Sequence, residues 1–175
     1  SLGNGKTAVA ISSGGKFTCA LLNDATVSCW GTNGLGQIGQ GTNGYSLKTP
    51  TQTSTFGTNH TVVAISSGHY HTCAILDDGT VSCWGYNSDG QLGDGTTTNQ
   101  NTPNQTSSLG IGRTAVGISS GRYHHCALLD NGAVSCWGRG NYGQLGDGTN
   151  NSQTTPTQTS SFGTTTNPRT VALSE

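Results

Sequence analysis

The sequence predicts an all-β protein made of three β-propeller-type blades, each a sheet of four antiparallel strands. Three observations carry this expectation. First, one segment is written three times: CALLNDATVSCWGTNGLGQIGQG from Cys19, CAILDDGTVSCWGYNSDGQLGDG from Cys73 and CALLDNGAVSCWGRGNYGQLGDG from Cys126. Trp30, Trp84 and Trp137 recur 54 and 53 residues apart, a period that marks stacked supersecondary units. Second, the apolar runs are strand-length and rich in β-branched residues, and glycines punctuate them. Third, each repeat contains four such runs, and four antiparallel strands per repeat make a propeller blade.

The four strands follow in order. Each repeat opens with residues 7–12 (TAVAIS), 61–66 (TVVAIS) or 114–119 (TAVGIS), closed by Gly14, Gly68 or Gly121. The second and third strands, CALL or CAIL and TVSCW or AVSCW, flank a polar turn. Asp77-Asp78-Gly79 and Asp130-Asn131-Gly132 read as three-residue hairpin loops with glycine at the left-handed position. The first repeat has Asn23-Asp24-Ala25 there; alanine tolerates positive φ poorly, so this turn is expected to be less stable or differently shaped. After Trp-Gly comes a glycine-rich connection ending in GQIGQG or GQLGDG, and then a Thr-Pro segment at 49–53, 102–106 and 155–159. Proline lacks a donor, which places this fourth strand at a sheet edge.

These residues resemble the RCC1 (regulator of chromosome condensation) repeat family, whose pattern runs G-x-x-H-x-C-A-L, D-G-x-V-x-C-W-G, N-x-x-G-Q-L-G-D-G-T. The second repeat matches from Gly68, His71 and Cys73 through Trp84, Asn87 and Asp94 to Gly95. The third carries Gly140 in place of the Asn; the first carries Phe17, Ala25, Ile38 and Gln40 at departures. The resemblance implies a single array over residues 1–175, with repeats at approximately 1–54, 55–107 and 108–161 and the start of a fourth at 162–175, where TVALS echoes the opening strand. It also implies a ring of about seven blades. Three blades form an incomplete ring unless the chain is oligomeric or part of a longer one, since both end faces expose apolar surface. The absence of Met even at position 1 fits a processed chain or a piece.

Six cysteines form three pairs of one spacing: Cys19/Cys29, Cys73/Cys83 and Cys126/Cys136. Both partners stand five residues from a turn centre, so they face each other across the hairpin, within disulfide range. One cross-strand disulfide per blade is expected, with buried free thiols as the alternative. Zinc is a weaker reading: His71, Cys73 and Cys83, or His124, Cys126 and Cys136, share a face, but the spacing is not that of a zinc knuckle and the first repeat has Phe17. No metal and no cofactor are expected. Asn87-Ser88-Asp89-Gly90 falls short of a calcium loop, and GQLGDG lacks the lysine of a phosphate loop. Asp94 and Asp147, set between glycines, read as turn anchors. His60, His69 and His125 have no counterparts in the other repeats, and no catalytic triad can be assembled.

Only 9% of residues are charged and the net charge is -1, which argues against nucleic acid as a partner. No apolar run reaches the length of a membrane span. The expected function is a non-enzymatic, secreted or cell-surface module that binds a protein partner or copies of itself as a homo-oligomer or fibre. A regulatory propeller, acting as an exchange factor or enzyme inhibitor, is the alternative that the resemblance implies. Tyr70, Tyr123 and Lys16 stand on loops that can reach a partner at a rim. Asn59, Asn104 and Asn150 head N-x-S/T sequons, candidate glycosylation sites in a secretory setting; the Ser/Thr-rich stretches at 96–108 and 149–166 are candidates for O-linked sugars.

Overall fold

A computed structural model describes residues 5–162. The described residues form twelve strands and no helix. The first blade contains β1 (Ala8–Ser13), β2 (Phe17–Leu22), β3 (Val27–Gly31) and β4 (Leu47–Gln52). The second contains β5 (Val62–Ser67), β6 (His71–Leu76), β7 (Val81–Gly85) and β8 (Gln100–Gln105), and the third β9 (Ala115–Ser120), β10 (His124–Leu129), β11 (Val134–Gly138) and β12 (Gln153–Gln158). Each blade is a separate sheet whose strands pair antiparallel in chain order. The strand expected from residues 170–174 lies outside the described residues.

The register follows from the hairpins. Cys19 faces Cys29, Cys73 faces Cys83 and Cys126 faces Cys136. The turns supply the symmetry: Gly79 and Gly132 take φ of 77° and 80°, and Ala25 takes φ of 62°. The first turn therefore keeps the shape of the other two in spite of its alanine. Its clamp is the same: Asp24 Oδ1 accepts from the backbone N–H of Thr26 at 3.2 Å and from its hydroxyl at 2.7 Å, as Asp78 does from Thr80 at 2.9 and 2.7 Å.

The fourth strands lie at the sheet edge, and the pairing of each to its neighbour slips just beside Trp30, Trp84 and Trp137. Pro50, Pro103 and Pro156 fall within the unpaired stretch, where a missing donor costs nothing. The first strands are innermost: β5 packs on β1 and β2, and β9 on β5 and β6. The core lies between blades rather than within them. One cluster joins Phe17, Leu21, Val27 and Ile38 of the first blade to Val62, Leu76 and Trp84 of the second. The next joins Ile75, Val81 and Leu92 to Ala115, Leu129 and Trp137. A blade is thin, so a neighbour decides its burial. In the middle blade β6 and β7 are buried along their whole length, whereas β1 is exposed almost throughout.

Candidate functional site

The joint between blades is the most elaborated feature of the molecule, and it is built from the motif residues. In each glycine-rich connection a glutamine side chain folds back on its own loop: the Oε1 atoms of Gln37, Gln91 and Gln144 each accept from the backbone N–H two residues earlier, at 2.8 Å. The Trp84 Nε1–H donates to the carbonyl of Gln37 at 2.9 Å, and the Trp137 Nε1–H to that of Gln91 at 2.9 Å. Both indoles are fully buried, and a buried indole N–H needs such a partner. Gly39 and Gly93 form the floor of the socket. A Cβ on Gly39 would stand 2.9 Å from the Trp84 indole and one on Gly93 2.8 Å from that of Trp137, so glycine is required there for contact as well as for φ of 74° and 66°. The asparagine of the motif braces the same loop, Asn87 Oδ1 accepting from Leu92 N–H at 2.9 Å. In the third blade the carbonyl of Asn151 occupies the space a side chain on Gly140 would need, which is why glycine replaces asparagine there.

The joint is left half-made at both ends of the described array. Trp30 is partly exposed, and Ile11 on the same blade is 71% exposed. On the third blade Gly146 keeps φ of 66° with no indole above it, and Leu128 is 45% exposed where its counterpart Ile75 is 2%. The first blade thus offers the tryptophan and the third blade the socket.

The cysteine sulfurs of each pair are bonded to each other, with Cα atoms 4.1 Å apart. The sulfurs of Cys73 and Cys83 are thereby engaged, and the His71 ring lies against His125 instead, centroids 4.5 Å apart. The two histidines bridge the second joint. His125 stacks on Trp137, and the Ser120 hydroxyl links its Nδ1, at 2.7 Å, to Ser66, at 2.8 Å. Burial, reinforced by the other histidines nearby, depresses the pKa of His71 to about 3 and that of His125 well below the usual range, so both are neutral near pH 7. His124 is half-buried on the open face of the third blade and is depressed by burial as well.

His60 gathers Asp77 at 3.2 Å and Asp78 at 3.7 Å on the exposed hairpin end. Asp94 and Asp147 anchor turns through Thr96 and Thr149, at 2.9 Å to each backbone N–H. Asn59 and Asn150 are exposed, whereas Asn104 is partly buried and donates to Asp94 at 3.0 Å. Tyr70 and Tyr123 are partly buried and Lys16 is exposed, all at the blade end opposite the hairpin turns. No described helix is long and apolar enough to cross a membrane.

Two family profiles, both described as the regulator of chromosome condensation (RCC1) repeat, match three times each, at residues 8–37, 62–91 and 115–144 and at 24–75, 78–128 and 131–174. The RCC1 domain-containing protein RUG3, mitochondrial, of Arabidopsis thaliana is 33% identical over 85% of this chain. The human E3 ubiquitin-protein ligase HERC2 is 32% identical over 82% of it. The chain spans 33% of the first relative and 3% of the second. Among solved structures, yeast RCC1 (Prp20) bound to Kap60 superposes with a TM-score of 0.79 over 89% of this chain and 37% of its own, at 21% identity.

Proposed function

This chain belongs to the RCC1 repeat family, and on that premise we propose that it is a non-enzymatic, secreted or cell-surface module whose blades bind protein. The observation that carries the reading is the half-made joint: among the described residues Trp30 lacks the carbonyl that Trp84 and Trp137 each have, and the socket at Gly146 lacks its indole. Exposed apolar surface of this kind is a docking face. The matching occupant is a further blade of the same repeat, presented by the same polypeptide or by a second copy joined head to tail, which closes a ring or extends a fibre. Yeast RCC1 (Prp20), of the same fold, is solved bound to Kap60; that supports a protein partner for this chain and is equally compatible with a regulatory role.

The disulfides are what support an oxidising compartment in this reading. Bonds of this type persist in oxidising surroundings and are rare in the cytosol, so they support secretion, with Asn59 and Asn150 as the sequons a glycosyltransferase could reach. Light scattering after size exclusion tests the assembly, and alkylation in denaturant with intact mass, before and after reduction, tests the disulfides on which the compartment reading rests. An associated species and thiols that react only after reduction are expected. A monodisperse monomer at every concentration, or six thiols that react in denaturant without reductant, would overturn the corresponding half of the reading.

A further inference from the structure

The two ends of the blades treat their charges differently. At the hairpin-turn end the basic side chains lie against carboxylates: Lys6 with Asp24 at 2.8 Å, His60 with Asp77 at 3.2 Å and Arg113 with Asp130 at 3.5 Å. At the opposite end, Lys16, Arg122 and Arg139 make no ion pair among the described residues. The arginines lie on aromatic rings instead. The Arg122 guanidinium stands 5.1 Å from the centre of Tyr123 and that of Arg139 stands 5.6 Å from it, with Tyr142 at 5.8 Å from Arg139. The Nε of Arg139 is buried with no hydrogen-bond partner. Asp94 and Asp147, which belong to the same connections, are engaged by their own turns; Asp89 lies in these connections too and pairs with neither arginine.

Tyr123 belongs to a continuous aromatic ledge. Its ring is 6.2 Å from His69 and 6.5 Å from Tyr86, and Tyr70 is 4.2 Å from His69 and 6.2 Å from Tyr86, all edge-on. The loops beneath are stepped together by backbone bonds, Gly15 N–H to the His69 carbonyl at 3.0 Å and His69 N–H to that of Arg122 at 3.1 Å. An open cleft of about 310 Å³ runs along these steps, bordered by Gly15, His69, Arg122, Ser13, Ser67 and Ser120.

We propose that this rim binds an acidic peptide segment of a partner protein, its carboxylates on Arg122, Arg139 and Lys16 and its apolar side chains on the tyrosine ledge. Guanidinium groups held on rings are oriented and only weakly hydrated, so a carboxylate meets them at small desolvation cost. Tyrosine and arginine are also the residues that dominate binding energy at protein interfaces. Three cations are too few to track a phosphate backbone, which favours a peptide over a nucleic acid. The inference rests on the protein-binding reading above, but light scattering reads the blade faces and the measurement below reads this rim, so either fails without the other.

The test is fluorescence anisotropy on the whole chain. The probes are a labelled pool of Asp/Glu-rich peptides of about a dozen residues, long enough to cross two blades, a Lys-rich pool and an oligothymidylate of similar length. The acidic pool is expected to bind best and to weaken with added salt. The Arg122→Gln/Arg139→Gln chain is expected to lose at least about tenfold, and Lys6→Gln/Arg113→Gln at the far end to lose nothing. The single Arg122→Glu change on an exposed side chain, checked by circular dichroism, covers the case in which altering Arg139 disturbs folding, and it should reverse the preference toward the Lys-rich pool. No binding of the acidic pool, equal binding by the arginine variants or tighter binding of the oligonucleotide would overturn the proposal.

Discussion

Ala25 sits at φ 62° in a turn where its two counterparts are glycine. A left-handed conformation costs an L-residue roughly 1–2 kcal/mol, partly offset because alanine has less freedom to lose than glycine on folding. Ala25→Gly is therefore expected to stabilise the chain by about 0.5–1 kcal/mol, read as a higher melting temperature. The reverse change separates strain from contact. Gly132→Ala meets open space among the described residues, whereas a methyl on Gly79 runs into the side chain of Thr114 in the next blade, so Gly79→Ala should cost clearly more in the same melts. His71 supplies a second residue-level prediction. Its folded pKa, about 3, lies below the unfolded value near 6.5, so protons favour the unfolded chain. The stability contributed by a neutral His71 is complete above about pH 6.5 and declines as pH falls, by roughly 1 kcal/mol per pH unit. His125 acts in the same sense. Asp24, held at about 2 chiefly by its bonds to Lys6 and Thr26, stays ionised over the upper part of this window, so acid sensitivity above about pH 4.5 belongs to the histidines. Phe17 is buried at the equivalent position of the first blade. His71→Phe should flatten the pH dependence of urea midpoints between about pH 4.5 and 7; an unchanged slope would place the sensitivity elsewhere.

At the scale of the element, each blade is a meander clasped across its central hairpin. A bond closing a loop with a sequence separation of 10 stabilises by about 2–3 kcal/mol through the unfolded chain. Cys73 and Cys83 are both fully buried between blades, so replacing that pair with alanine also leaves a gap in the core. Cys126 lies on the open face of the third blade. Denaturation should therefore show a larger loss for Cys73→Ala/Cys83→Ala than for Cys126→Ala/Cys136→Ala, and equal losses would mean that the open face is covered in solution. The blade itself was legible in the sequence because its information is local. Strand pairs separated by a three-residue turn have their register fixed by counting from the turn, and proline announces the edge. The left-handed Ala25 was not legible, because the hairpin and the Asp24 clamp impose a conformation that the residue type disfavours. The joints were hidden for a different reason. Trp84 and its acceptor Gln37 lie 47 residues apart, and the arginine–tyrosine rim joins loops of successive blades. Such contacts depend on how one sheet is set against the next, and the repeat period reveals that sheets stack without revealing which carbonyl meets which indole.

At the scale of the whole molecule, the described residues hold two finished joints and two unfinished faces, so the proposed association would repeat an existing contact. Trp84 and Trp137 define its strength: truncating a fully buried tryptophan costs about 3–5 kcal/mol, so Trp84→Ala should destabilise the chain severely. Trp30→Ala removes a partly exposed indole that has no hydrogen-bond partner among the described residues and should cost the isolated chain much less. The discriminating pair is Gly93→Ala and Gly146→Ala. Both positions hold φ of 66°, so both carry the same backbone strain. At Gly93 the new methyl also presses on Trp137, whereas at Gly146 its nearest neighbour is Thr159 at 3.5 Å, an ordinary contact. In a chain that stays alone, Gly146→Ala should be the milder of the two by the full cost of that steric conflict. In a chain whose third blade receives an indole from a following blade, Gly146→Ala meets the same conflict as Gly93→Ala, and the difference in stability shrinks as protein concentration rises. Sedimentation and thermal melts over a range of concentrations, with Trp30→Ala as the complementary change on the other face, read the two cases apart: loss of association in both variants is expected if blades join head to tail, and unaltered sedimentation in both would remove the joint as the basis of assembly.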